Sequence, residues 1–119
     1  MSVLTNAVLA TLPYMPKSLM RRFASRYIAG ERVEDALGRL AMLHERGHPG
    51  ILDVLGEGIT SEDEARTVCS TYEAAASAVA GKGWDVYISV KPTHLGLARN
   101  EELCHELYAR LARHCAKLG

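Results

Sequence analysis

Lys91 is the residue whose position most clearly points to chemistry. It follows VYISV at 86–90, a segment in which apolar and polar side chains alternate as they do in a β-strand. Lys91 would extend the polar face at the carboxyl end of this strand, where parallel α/β folds place their ligand sites. Pro92 favours an extended backbone at Lys91. Lys91 is therefore a candidate functional residue; the alternatives are a solvated lysine and a lysine paired with Asp53.

Asp53 and Glu57 are the acidic residues next to an earlier predicted strand, ILDVL at 51–55. This short apolar run, with Gly50 before it and Gly56 after it, is typical of a strand buried on both faces. Because a buried carboxylate needs a partner, Asp53 is expected to be a hydrogen-bonded structural residue and not a catalyst. Glu57 follows in a loop, where it is either solvated or used for binding.

The segment HERGH at 44–48 spells the HExxH signature of zinc proteases. That signature needs both histidines on one face of a continuous helix. Gly47 weakens a helix, and Pro49 biases the residue before it away from helical geometry. No metal site is therefore predicted here.

The rest of the sequence predicts the elements that would position these residues. Apolar residues recur at three- and four-residue spacing in four segments, which predicts amphipathic helices at 16–30, 31–46, 61–81 and 100–118, with a weaker helix before residue 13. Ser61 and Glu64 have the spacing of a capping box. Together with the two strands, the order strand, helix, strand, helix predicts parallel βαβ units and an α/β fold. Two parallel strands cannot cover both of their faces, so the pattern calls for more strands.

Composition limits the classes of partner and the cellular setting. The chain has 119 residues with 14 basic and 14 acidic side chains, so it lacks the positive field that nucleic acid or an anionic membrane surface requires. The sequence contains no signal peptide pattern and no apolar run of the ~20 residues that a transmembrane segment needs. Cys69, Cys104 and Cys115 fall in predicted helices, and their odd number indicates reduced thiols and a cytoplasmic protein.

Several segments together resemble the flavin-dependent proline dehydrogenases. They are RRFASRYIAGE at 21–31, ILDVLGE at 51–57 with the capped helix after it, and ISVKPTHLGL at 88–97. The resemblance runs from about residue 21 to residue 119, and the strand that ends in Lys91 is its most specific part. Each segment alone is weak evidence, whereas their order and spacing are hard to produce by chance.

The resemblance implies a fold and an activity. The fold would be N-terminal helices at 1–48, followed at 49–119 by the first two βα units of a (βα)8 TIM-type barrel, which this chain leaves incomplete. The activity would be oxidation of L-proline to 1-pyrroline-5-carboxylate, with hydride transfer to FAD and electrons passed to a quinone acceptor. The full enzyme would be cytoplasmic or peripheral at the membrane.

The resemblance also implies roles for two residues. Lys91 matches the family lysine beside the substrate carboxylate, and Glu57 matches an acidic residue that pairs with a substrate-binding arginine. Pro92 stands where the family more often has leucine. The catalytic aspartate, most FAD contacts and the substrate-binding arginines lie on later family segments that this chain lacks. No catalytic residue is therefore assigned, and the isolated chain is expected to be inactive.

A different class of function stays open. The chain could be a non-catalytic α/β module that associates with a second copy through exposed strand edges, because unpaired edges invite pairing. The two hypotheses differ in what they expect after Gly119: an open reading frame that continues into a strand with an acidic residue, or a stop.

Overall fold

The computed structural model describes residues 10–24, 29–30, 32–56 and 58–119. The chain divides into two compact units, Met1–Glu31 and Arg32–Gly119. The described part of the first unit contains a 3-10 helix at Leu12–Tyr14 and an α-helix, α1, at Lys17–Ala24.

Helix α1 confirms the first half of the helix predicted at 16–30. Residues 25–28 of that prediction lie outside the described residues, as does most of the weaker helix predicted before residue 13. The backbone N–H of Leu19 donates to the Pro16 carbonyl at 3.0 Å, so Pro16 stands at the start of the helix, as its fixed backbone angle favours.

The described part of the second unit contains two parallel strands, three α-helices and a 3-10 helix. Its elements in chain order are α2 at Val33–Glu45, β1 at Gly50–Asp53, α3 at Glu62–Val79, β2 at Val86–Ser89, a 3-10 helix at Pro92–Leu95 and α4 at Glu101–Leu118. In the described part of the chain the sheet consists of β1 and β2, with Gly50 opposite Val86 and Asp53 opposite Ser89. The mixed α/β fold class and the parallel βαβ order are thus confirmed.

Helices α3 and α4 both begin at polar caps. The Ser61 hydroxyl accepts a hydrogen bond from the Glu64 backbone N–H at 3.1 Å, which confirms the predicted cap. The Glu64 carboxylate accepts hydrogen bonds from the Thr60 backbone and hydroxyl, and these hold the pKa of Glu64 below its usual value. Asn100 caps α4 and also donates to Glu62 at 2.9 Å, so the two helix starts are joined.

The core lies between α3, α4 and the 3-10 helix at Pro92–Leu95. Its buried members are Ala65, Cys69, Tyr72, Leu95, Leu103, Cys104, Leu107 and Leu111. Ile88 and Val90 pack against this cluster from the β2 side, as their alternation with polar residues predicts. Burial raises the pKa of the Cys69 and Cys104 thiols, which keeps both protonated and unreactive.

A charged contact also joins α3 to α4. The Arg110 guanidinium donates to the Glu73 carboxylate through Nε at 2.8 Å and through a second nitrogen. This hydrogen bonding from Arg110 lowers the pKa of Glu73. In the described part of the chain, every helix is too short or too polar to cross a membrane.

The opposite face of the sheet exposes apolar side chains. Ile51 is 72% exposed and Tyr87 is 65% exposed, and the two lie opposite each other in the register. Leu55, just after β1, is 67% exposed. We call these three residues the open face. In a closed barrel such a face would point inward, away from the helices.

Candidate functional site at the strand ends

Lys91 lies two residues after β2 and pairs with Asp53, the last residue of β1. The Lys91 ammonium is 2.7 Å from each oxygen of the Asp53 carboxylate. The backbone at Lys91 is extended, as the following proline predicts. Of the alternatives open from the sequence, the structure shows the lysine paired with Asp53, and it gives Asp53 the expected partner. Asp53 itself is more exposed than predicted, because its side chain keeps 39% of its accessible surface.

The electrostatics of this pair determine what it can bind. The Asp53 carboxylate offsets the charge of the Lys91 ammonium, so the pair has no net positive charge. The Lys91 side chain is 31% exposed, and solvent screening keeps the pairing energy modest. An anion at this site would therefore need further cations for tight binding.

The turn after Lys91 is fixed by Tyr72 of α3. The Lys91 backbone N–H donates to the Tyr72 hydroxyl at 3.4 Å, and the same oxygen lies 3.5 Å from Nδ1 of His94. Tyr72 is fully buried, and His94 is 7% exposed. The sequence predicts the helix that contains Tyr72 but does not identify the contacts of its hydroxyl. The available signal was that a buried tyrosine needs a partner for its hydroxyl group.

The loop after β1 meets the same histidine. Gly56 has a φ of +139°, and a Cβ atom added there would lie 2.6 Å from His94 Nε2. Only glycine fits this backbone angle and this close approach without strain. Glu57, the second predicted binding residue, lies outside the described residues.

The HExxH spelling does not form a helical metal site. Helix α2 ends at Glu45, and Gly47 follows with a φ of +73°. His44 lies in the last helical turn, whereas His48 lies beyond the helix. Across the described ranges 10–24, 29–30, 32–56 and 58–119, no three His, Cys, Asp or Glu side chains gather in a way that could hold a metal ion.

The fold and the site together define a class of protein. Parallel α/β proteins bind ligands at the carboxyl ends of their strands, and the lysine–aspartate pair lies at that edge of this sheet.

Comparison with known proteins finds partial matches to proline dehydrogenases. No protein-family model matches the sequence. Proline dehydrogenase 1 of Bacillus subtilis subsp. natto is 36% identical over 80 residues, which cover 67% of this chain and 26% of that protein. Proline dehydrogenase 1 of Bacillus subtilis strain 168 is 35% identical over 80 residues. Proline dehydrogenase of Deinococcus radiodurans is 29% identical over 100 residues, which cover 84% of this chain and 32% of that protein.

These matches confirm the resemblance found in the sequence. The chain is a homologue of proline dehydrogenases, and it spans about a quarter to a third of the length of the curated relatives it matches.

Proposed function

We propose that this chain supplies the first two βα units of a proline dehydrogenase-like oxidoreductase. The full enzyme would oxidise L-proline to 1-pyrroline-5-carboxylate, with hydride transfer to FAD and electrons passed to a quinone. It would work in the cytoplasm or at the membrane periphery. The homology to proline dehydrogenases supports the activity. The structural observation that carries the proposal is the position of Lys91, two residues after β2, at the edge of the sheet where parallel α/β folds bind ligands.

In this proposal Lys91 binds the carboxylate of L-proline through a charge-assisted hydrogen bond. Glu57 pairs with a substrate-binding arginine from a later part of the barrel. The open face supports the (βα)8 fold, because its exposed apolar side chains are those that a closed barrel would enclose. The N-terminal helices at 1–48 and the βα units at 49–119 are the two regions of the proposed domain.

The described residues of this chain do not fit the diphosphate of FAD. Helix N-termini favour anions, but α3 begins with Glu62, Asp63 and Glu64, and α4 begins with Glu101 and Glu102. Five carboxylates at these two helix starts would repel a diphosphate. We therefore assign FAD binding to later parts of the barrel and derive no chemical step through it here.

The isolated chain is expected neither to bind FAD tightly nor to oxidise L-proline. The reason is that the acidic starts of α3 and α4 would repel the FAD diphosphate. The lysine–aspartate pair alone would bind L-proline weakly. The measurement is flavin absorbance after purification with added FAD, followed by a dye-reduction assay with L-proline. The Bacillus subtilis subsp. natto enzyme serves as the positive control. A stoichiometric yellow complex would contradict the expectation.

A chimaeric enzyme tests the proposed function. The segment of the Bacillus subtilis subsp. natto enzyme that matches this chain is replaced by the corresponding residues of this chain. We expect the chimaera to bind FAD and to reduce a dye in the presence of L-proline. A chimaera that binds FAD but does not oxidise L-proline would refute the proposal. If replacement of the whole segment prevents flavin binding, a chimaera in which only residues 51–57 and 88–97 are introduced provides the same test.

The open face favours a second candidate, a self-associating module. Pairing between copies would cover Ile51, Leu55 and Tyr87, together with a groove of about 640 Å³ along β2 that Trp84 and Tyr108 help to line. In the described residues each strand has one neighbouring strand. The other edge of each strand is therefore where a strand of a second copy would pair.

The isolated chain is accordingly expected to associate at micromolar concentration, as measured by light scattering. Tyr87→Lys should reduce this association, because it puts a charge on the open face. Tyr14→Lys is the matched control, since Tyr14 is 88% exposed and lies in the other compact unit. A monodisperse monomer with a sharp near-ultraviolet signal from Trp84 and a cooperative melt would contradict the expectation.

A further inference from the structure

We propose that Tyr72 and His94 are positioning residues. They would fix the position of the turn from Lys91 to His94 against the loop that follows β1. This inference rests on the proposed function, in which Lys91 receives the substrate carboxylate. It concerns side chains outside the Lys91–Asp53 pair itself, one on α3 and the other in the 3-10 helix at Pro92–Leu95.

The first step is the hydrogen bonding of the Tyr72 hydroxyl. This group has one proton and can also accept hydrogen bonds. It accepts from the Lys91 backbone N–H at 3.4 Å and lies within hydrogen-bond distance of His94 Nδ1, at 3.5 Å. Because Tyr72 is fully buried, water does not replace either partner.

The second step is the packing of His94 on both sides. Its ring meets the Tyr72 ring edge-on, with centroids 6.0 Å apart. On its other side Nε2 approaches Gly56 so closely that a Cβ atom would lie 2.6 Å away. The imidazole therefore fills the space between helix α3 and the loop after β1.

The third step connects this packing to Lys91. The turn between Lys91 and His94 is short, and the His94 backbone N–H donates to the Lys91 carbonyl at 3.0 Å. Movement of the His94 ring therefore moves the Lys91 backbone, while Asp53 stays in β1. Since ligand-binding groups act only within a narrow range of positions, a small displacement here would disturb the lysine–aspartate pair.

The test uses the full chain and nuclear magnetic resonance. It compares Tyr72→Phe, His94→Leu and His94→Asn with the unaltered chain, and uses His105→Leu as the control because His105 is an exposed histidine of α4. The readouts are the exchange rate of the Lys91 backbone amide and the side-chain ammonium resonance of Lys91. The Leu111 amide reports on the fold.

We expect Tyr72→Phe and His94→Leu to speed exchange of the Lys91 amide by about tenfold or more, as loss of a shielded hydrogen bond does. The Lys91 ammonium resonance should shift towards that of a solvated lysine, while the Leu111 amide stays protected. His94→Asn should restore the parent signals, because its side-chain oxygen can accept from Tyr72. Unchanged Lys91 signals in Tyr72→Phe would overturn the inference.

A steric variant tests the same inference without removing a hydrogen-bonding group. Gly56→Ala should displace His94 and shift the Lys91 resonances. Gly58→Ala should not, because an added Cβ at Gly58 meets nothing within 4 Å. Equal effects of the two alanines would overturn the inference. If the Lys91 signals respond as expected but the chimaera does not oxidise L-proline, the proposed function fails and the positioning role stands.

Discussion

Lys91→Met in the chimaeric enzyme is expected to lower kcat/KM for L-proline by roughly ten- to a hundredfold. Under the proposed function, the substitution removes a charge-assisted hydrogen bond to the substrate carboxylate, and such a bond contributes roughly 1.5–3 kcal/mol. Methionine keeps much of the length and apolar character of the side chain. The measurement is steady-state dye reduction over a range of L-proline concentrations.

The control for this prediction is Lys82→Met. The Lys82 ammonium lies 5.2 Å from the centre of the Trp84 ring, in the turn before β2, and Lys82 is exposed. Its loss should leave kcat/KM within about twofold, since an exposed cation–π contact contributes only about 0.5–1 kcal/mol to the fold. Equal activity of Lys91→Met and the parent chimaera would return Lys91 to a structural role as the partner of Asp53.

Leu107→Ala is expected to lower the free energy of unfolding by about 2–5 kcal/mol, because it leaves a cavity between packed helices. Leu107 is 1% exposed and lies in the cluster that joins α3 and α4. The measurement is urea denaturation followed by circular dichroism. A loss of this size is a large fraction of the stability of a small domain.

The matched control is Leu97→Ala, because Leu97 is 44% exposed. Its effect should be below that of Leu107→Ala, since nearly half of Leu97 is already in contact with water. Equal losses for the two variants would contradict the assignment of the core to the α3–α4 contact.

The secondary structure of the second compact unit could be predicted because its signals are local. Alternation in VYISV predicted which side chains of β2 face the helices, and Ile88 and Val90 do so. The Ser61 cap was evident from its spacing to Glu64, and the structure contains it. Such signals depend on residues within one turn or one strand, so a single sequence contains them.

The contacts between elements were harder to predict. The pairing of Asp53 with Lys91 was one alternative, because strand ends in a parallel sheet meet at one edge. Whether Lys91 pairs with Asp53 or is solvated depends on the register of β1 against β2, and the sequence does not specify that register. The roles of Tyr72 and His94 were missed, because each lies in a segment whose pattern is explained by burial alone.

The barrel itself is a prediction that comes from the family resemblance. Two strands and their helices satisfy the local pattern of many parallel α/β folds. Strand number and closure depend on contacts among many strands, whereas the local pattern of β1 and β2 predicts only that one face of the sheet needs a cover.

The most direct test of the central claim compares two substrates that differ in the charge of one group. The chimaera is assayed with L-proline and with L-prolinamide, in which a neutral carboxamide replaces the carboxylate, before and after Lys91→Met. If Lys91 binds the substrate carboxylate, the substitution lowers kcat/KM for L-proline by roughly ten- to a hundredfold and leaves that for L-prolinamide within about threefold. An equal loss for both substrates would contradict the account, because it would show that Lys91 supports the fold and does not recognise the carboxylate.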